Sequence, residues 1–178
     1  MGLIIFSLLW LDQEVPMILL ERTQKAFQSI EYASDQDVWG KGEYWATPAE
    51  LLDRTQGDCE DVAIAKYFLL IKQGIPLKRL RLAYQLLEDG DVHMLLEYHH
   101  KPYVYLLDIQ TSEVSIATYP HFNRQILSFN HDSFWVNQQR SGPSQPKMRQ
   151  WRELLLRYHA NEDIQHAALH QFLTKKNK

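Results

Sequence analysis

The stretch GDCEDVAIAKYFLLIKQG, residues 57–74, predicts a helix whose beginning and end are both marked in the sequence. Residues 59–73 contain no Gly or Pro, Asp58 before them is a residue type favoured at a helix N-cap, and Gly74 after them is a typical C-terminal stop. Because nearly all residues after Asp61 are apolar, we expect this helix to lie in the middle of a domain.

Cys59 is the only cysteine in the 178 residues, and it would be the first residue of this helix. The unpaired N–H groups and the positive dipole end of a helix N-terminus favour an anion, and cysteine pKa values fall at such places. This position indicates a nucleophile. The alternative is a buried cysteine that only packs, which is the common use of a free thiol.

Three carboxylates flank the thiol, namely Asp58, Glu60 and Asp61, and their charge opposes thiolate formation. Helix capping accounts for Asp58, and Asp61 stands where a carboxylate can reach back to the cap residue. Glu60 has no such use. Three carboxylates within four residues also form a hard oxygen cluster suited to Ca²⁺, although their spacing is not that of an EF-hand loop.

Three strand-like runs follow, at residues 79–87, 93–99 and 103–109, so that a helix precedes a sheet in an α+β order. The last two runs are predicted to form an antiparallel hairpin. Closing it between His100 and Lys101 places His93 directly opposite Asp108, with Cβ atoms about 4.5 to 5.5 Å apart. Cys59, His93 and Asp108 then supply the nucleophile, base and orienting group of a cysteine hydrolase.

The rest of the chain predicts further elements around this core. We expect an amphipathic helix over residues 16–30, an irregular surface segment over 34–48, a short helix from Thr47 through Leu52, a strand over 124–129 and two closing helices near the end. The apolar run at residues 3–11 fits either the remnant of an export signal within residues 1–15 or a first buried element. Residues 1–178 are predicted to form a single domain.

Composition excludes two broad classes of function. The net charge is −3, with 19 basic and 22 acidic residues mixed along the chain, so no basic surface for nucleic acid is expected. The apolar run at residues 3–11 is far shorter than the ~20 residues that span a bilayer, which argues against an integral membrane protein. A single cysteine permits no intramolecular disulfide and leaves the cellular compartment open.

The block WGKGEYWATPAELLDRTQGDCEDVAIAKYFLL, with LRLAY, HMLLEY, YLLDI and ILSFNHDSFW after it, resembles the bacterial transglutaminase-like cysteine proteinases from about residue 32 to 135. The resemblance implies a papain-like, transglutaminase-like α+β core with the central helix packed on an antiparallel sheet. It implies Cys59 as nucleophile, His93 as general base and then acid, and Asp108 as the group that orients the imidazole. It further implies a calcium site at Asp58 and Glu60, with Asp61 as an additional ligand.

The same resemblance implies a biological setting. Its best-known members are periplasmic, require calcium, cut a large cell-surface adhesin near its N-terminus after a paired-alanine site, and so control biofilm attachment. An inner-membrane receptor for cyclic di-GMP sequesters them. Asp108 is followed here by Ile109 and Gln110, where the family often has Asn next, which puts the local geometry of Asp108 in question.

Two other functions remain open from the residues. One is a transglutaminase or amide transferase of the same fold, in which an amine replaces water at the acyl-enzyme. The other is a non-catalytic binding module, against which the presence of Cys59, His93 and Asp108 argues. The oxyanion would be held by the backbone N–H of Cys59 and a second donor, for which Trp45 is a weak candidate because core packing explains it better.

Overall fold

The computed structural model describes residues 16–176 of the chain. Its helices are α1 (16–27), α2 (Asp35–Trp39), α3 (Pro48–Arg54), α4 (Cys59–Lys72), α5 (Tyr119–Arg124), α6 (Arg149–Ala160) and α7 (Glu162–Lys176), with a 3₁₀ turn at Leu77–Arg79. The predicted N-terminal element at residues 3–11 lies outside the described residues.

The strands form two sheets. A small parallel pair joins β1 (Glu31–Tyr32) to β2 (Gln56–Gly57), and a seven-stranded antiparallel sheet has the order β6-β5-β4-β3-β7-β8-β9. Its members are β3 (Leu80–Leu86), β4 (Val92–His100), β5 (Tyr103–Leu107), β6 (Ser115–Ile116), β7 (Gln125–Phe129), β8 (Phe134–Val136) and β9 (Gln139–Gly142). The predicted α+β class, with a central helix on an antiparallel sheet, is confirmed.

Helix α4 lies at the centre of the molecule, as its apolar sequence predicts. It packs against β4 and β3 on one side, and most of its residues are buried. On another side the Phe68 ring stacks on Tyr158 of α6, with ring centroids 3.9 Å apart, and lies near Trp151 at 5.9 Å. Helix α4 is therefore covered by the sheet on one side and by α6 on another.

The start of α3 shows the local chemistry that the sequence predicts. Thr47 is the N-cap, Pro48 occupies the first turn, and Thr47 and Glu50 form a complete capping box. The preceding segment, 34–48, differs from the predicted irregular surface loop because it contains α2 and ends in buried residues. Trp45 is 3% exposed and stacks on Phe129 of β7, with ring centroids 5.8 Å apart, so the segment contributes to the core.

None of the helices within residues 16–176 is both long enough and apolar enough to cross a lipid bilayer.

Candidate active site

The N-terminus of α4 is built as the sequence predicts, with one exception. Asp58 is the N-cap and its side chain accepts a hydrogen bond from the backbone N–H of Asp61, at 3.4 Å. The predicted return bond from the Asp61 carboxylate to the cap is not formed. Asp61 Oδ1 instead accepts from the backbone N–H of Ala46, at 2.6 Å, because that buried donor requires an acceptor.

The β4–β5 hairpin brings the predicted histidine and aspartate together through a different register. His100 pairs with Tyr103 across a two-residue turn, so every pair is shifted by two residues from the predicted closure, and His93 is not directly opposite Asp108. A shift of two preserves the side of the sheet on which each side chain lies. Asp108, just past the end of β5, reaches His93 with 2.7 Å between Oδ1 and Nε2.

This contact defines how the imidazole is held. His93 is 4% exposed, and with Nε2 engaged by Asp108 its Nδ1 is the ring atom left for another partner. Asp108 Oδ1 also accepts from the backbone N–H of Gln110, at 2.9 Å. Burial alone would raise the pKa of Asp108, but the hydrogen bond and charge of His93 outweigh it and hold that pKa below its ordinary value. The carboxylate is therefore ionised where it contacts the ring.

Cys59 lies next to this pair. The backbone N–H of Met94, the residue after His93, donates to Cys59 Sγ at 3.5 Å, at a point of β4 beyond its last pair with β5. The thiol donates to Glu60 Oε2, at 2.8 Å, and within residues 16–176 it makes no hydrogen bond to His93. Burial, and then the charge of Glu60, raise the pKa of the Cys59 thiol above its ordinary value. The thiol is thus held in its protonated form.

An acidic cluster, defined as Asp35, Asp58 and Asp61, lies directly behind the start of α4. One carboxylate oxygen from each residue lies within 4.8 Å of the others. Asp58 and Asp61 were predicted as metal ligands from the sequence, whereas Asp35, which comes from α2, was not. Glu60 was predicted as a ligand as well, but its carboxylate contacts the thiol and is not a member of this cluster.

The acidic cluster has the properties of a cation site. Asp35 Oδ1 and Asp61 Oδ2 are buried and have no hydrogen-bond partner within the described residues. Burial, with the neighbouring carboxylates adding to it, raises the pKa of Asp58 to about 8, and burial raises the pKa of Asp61 to about 7. Buried, unpaired carboxylate oxygens are costly without a compensating charge, and hard oxygen ligands suit Ca²⁺. The residues present therefore fit a divalent cation.

Trp45, the weak candidate for a second oxyanion donor, already uses its indole N–H in another hydrogen bond. Its Nε1 donates to Glu43 Oε1 at 2.9 Å, and its ring is buried against Phe129. Core packing is therefore the use of Trp45 that the structure favours.

A cysteine at the start of a central helix, beside a strand histidine that is hydrogen-bonded to an aspartate, defines the papain-like and transglutaminase-like class of thiol enzymes. A model of the family described as bacterial transglutaminase-like cysteine proteinase BTLCP matches residues 11–142, well over half of the chain. The chain therefore belongs to this family of cysteine proteinases.

Solved structures of LapG from Legionella pneumophila are similar to this chain. The calcium-bound form is 31% identical, with a TM-score of 0.65, and the match covers 79% of this chain and 78% of that one. The EGTA-treated form is 30% identical, with a TM-score of 0.66 and coverage of 79% and 77%. A further LapG structure is 29% identical, with a TM-score of 0.65 and the same coverage. No match was found among curated proteins.

Proposed function

We propose that this proteinase is a calcium-dependent endopeptidase with Cys59 as nucleophile, His93 as general base and then acid, and Asp108 as the orienting carboxylate. The observation that carries the proposal is the His93 Nε2–Asp108 Oδ1 hydrogen bond of 2.7 Å, formed beside the Cys59 thiol at the start of α4. These side chains come from three separate elements, and helix capping, strand pairing and core packing do not require them to converge.

The proposed reaction is acyl transfer to water. The Cys59 thiol loses its proton to Nδ1 of His93, and the thiolate sulfur attacks the carbonyl carbon of a peptide bond. The C–N bond then breaks, and His93 gives the proton to the leaving amine. Water, deprotonated by His93, hydrolyses the thioester and restores the thiol. Asp108 holds the ring in the required orientation and stabilises the imidazolium throughout.

Calcium dependence is supported by the acidic cluster and by Glu60. The unpartnered oxygens of Asp35 and Asp61, together with Asp58, would hold the ion, and a calcium-bound structure exists for the similar LapG. When bound, the cation supplies positive charge next to a thiol that Glu60 otherwise keeps protonated. Glu60, whose Oε2 accepts from the thiol in this structure, would be a further ligand if its carboxylate turned from the thiol to the ion.

The substrate class, regulator and compartment are proposed from the family resemblance. We propose a large cell-surface adhesin cut near its N-terminus as substrate, a cyclic di-GMP receptor of the inner membrane as the partner that sequesters the protease, and the periplasm as its location. The role would be control of biofilm attachment.

The test is cleavage of adhesin N-terminal fragments that contain a paired-alanine site, followed by mass spectrometry in calcium and in EGTA. We expect two product peptides with calcium, none with EGTA, and recovery when calcium is restored. Cys59→Ala should abolish cleavage and leave the circular dichroism spectrum unchanged. Undiminished cleavage in EGTA would refute the calcium assignment, and cleavage by Cys59→Ala would refute the nucleophile.

One further arm separates hydrolysis from amine transfer. The same digestion with a primary amine in excess should give products with free carboxyl termini. Products that carry the amine mass would identify an amide transferase. Full biological effect of Cys59→Ala in cells would identify a binding module.

A further inference from the structure

Lys66 is a buried cation that the proposed reaction does not use. It lies on α4, two turns beyond Cys59, and is 1% exposed. Its Nζ donates to Gln24 Oε1 at 2.8 Å, and no carboxylate within residues 16–176 lies at ion-pair distance. Burial lowers the pKa of Lys66 to about 7, and the charge of Asp108 opposes this. Burying an ammonium group without a carboxylate partner lowers the stability of the fold, so a role for Lys66 outside stability was sought in its contacts.

Gln24, the partner of this lysine, connects α1 to the turn that carries Asp108. It is 2% exposed, and its Nε2 donates to the backbone oxygens of Asp108, at 2.6 Å, and Thr111, at 2.5 Å. Gln28, one helical turn later, donates to the backbone oxygen of Ser112. Asp108 lies outside β5, so no strand pairing fixes its backbone, and the amide side chains of α1 hold this turn instead.

The chemistry of Lys66 determines which way the Gln24 amide faces. Lys66 Nζ donates to Oε1, and the backbone oxygens of Asp108 and Thr111 can only accept from Nε2, so the partners on both sides select the orientation in which Oε1 faces Nζ and the NH₂ group faces the turn. In the reversed orientation the NH₂ group would face the ammonium and the amide oxygen would face two carbonyl oxygens, so that donors oppose donors and acceptors oppose acceptors. The donor at Lys66 Nζ therefore supports the orientation that directs the Gln24 donors at Asp108 and Thr111.

We propose that Lys66 and Gln24 are positioning residues for the orienting carboxylate: Lys66 fixes the Gln24 amide, and Gln24 holds the Asp108 turn at the distance that His93 needs. The positive charge of Lys66 also favours the ionised form of Asp108, which the imidazolium requires. This inference rests on the proposed function of Asp108. The buried contact between α1 and α4 would then affect the reaction through the position of Asp108.

The test compares Lys66→Met and Gln24→Met with Thr23→Val as the matched control. Thr23 neighbours Gln24 on α1, is fully buried, and hydrogen-bonds to Gln73, away from the turn. With kcat expressed per mole of reactive Cys59 thiol, we expect both test variants to lower it roughly tenfold or more. We expect KM to stay within about twofold of the parent, since neither side chain reaches solvent. Thr23→Val should leave both constants near those of the parent.

A second readout does not depend on cleavage. In a Cys59→Ala background, the pKa of the Asp108 carboxyl can be followed by carbon-13 NMR. We expect it to rise by roughly half a unit or more in Lys66→Met and to stay unchanged in Thr23→Val. Gln24→Glu keeps an acceptor for Lys66 but has no donor for the turn, so its kcat should fall as in Gln24→Met. This variant tests the role of Gln24 even if Lys66→Met does not fold.

The outcomes separate this inference from the proposed function. If the parent does not cleave, the proposed function fails, and the Asp108 pKa comparison still decides whether Lys66 acts on the carboxylate. If the parent cleaves and the Lys66 and Gln24 variants keep its kcat and its Asp108 pKa, the positioning role is refuted. It is also refuted if kcat per titrated thiol is no lower than in Thr23→Val, because the two residues then only stabilise the fold.

Discussion

Acidification should destabilise this protein through one buried carboxylate, Glu97, in the middle of β4. Glu97 is 1% exposed and is surrounded by donors: His121 Nε2 at 2.7 Å, His99 Nε2 at 2.8 Å and Gln125 Nε2 at 3.1 Å. Arg81 stands opposite it in β3. Burial alone would raise the pKa of Glu97, but the two histidine hydrogen bonds outweigh it and lower that pKa to about 2.

The magnitude follows from this shift. The ordinary value is 4.5, so the ionised form is favoured in the folded state by about 3 kcal/mol at neutral pH. Because the folded-state pKa is depressed, this stability is fully present above the ordinary pKa and is lost as the pH falls through the folded-state value. At pH 3 about half of it should remain.

The assay is urea unfolding of the parent and of Glu97→Gln, which imitates the protonated acid, at several pH values from 7 to 3. We expect the parent to be more stable by about 3 kcal/mol at pH 7 and the difference to narrow by about half at pH 3. Other carboxylates titrate in both proteins and cancel in the comparison. A difference that stays constant from pH 7 to pH 3 would refute the reasoning.

Three further predictions concern the start of α4. Gly57→Ala should destabilise the fold by roughly 1 to 3 kcal/mol in urea unfolding, because a Cβ there would lie 2.6 Å from a leucine side chain of α3. Gly42→Ala, with open space around its Cβ, should leave the stability unchanged. Asp35→Asn should weaken calcium binding, measured by calorimetry, while Asp53→Asn on exposed α3 surface should not; equal affinities would exclude Asp35 as a ligand. Glu60→Gln should speed alkylation of the neighbouring thiol in EGTA, and an unchanged rate would show that this carboxylate does not hold the proton.

The elements that sequence predicts well are those whose signals are local. The N-cap at Asp58, the capping box at Thr47 and the glycine after α4 are all set by residues within a few positions of each other. The His93–Asp108 contact was predicted from the wrong register, and it forms because a two-residue shift preserves side-chain direction and a carboxylate can reach diagonally.

What sequence could not show depends on contacts between distant segments. Asp35 joins the acidic cluster only because α2 packs beside the start of α4, and no spacing rule connects the two. The bond from Asp61 to Ala46 likewise depends on where the segment before α3 runs. The contact of Glu60 with the Cys59 thiol depends on a side-chain rotamer, which the sequence does not specify. Strand β9, with sequence QRSG, has no apolar alternation from which to predict it.

The turn at residues 101–102 offers a site for attaching a fluorescent label to this protein. It lies beyond the opposite end of β4 from His93: Lys101 is eight residues from His93, roughly 26 Å along an extended strand, and both turn residues are exposed. Since Cys59 is the only cysteine in the chain, a Cys59→Ala background offers no competing thiol, and Lys101→Cys can carry a single fluorophore. Mixing this labelled, inactive protein with a candidate protein substrate would report binding as a change in fluorescence.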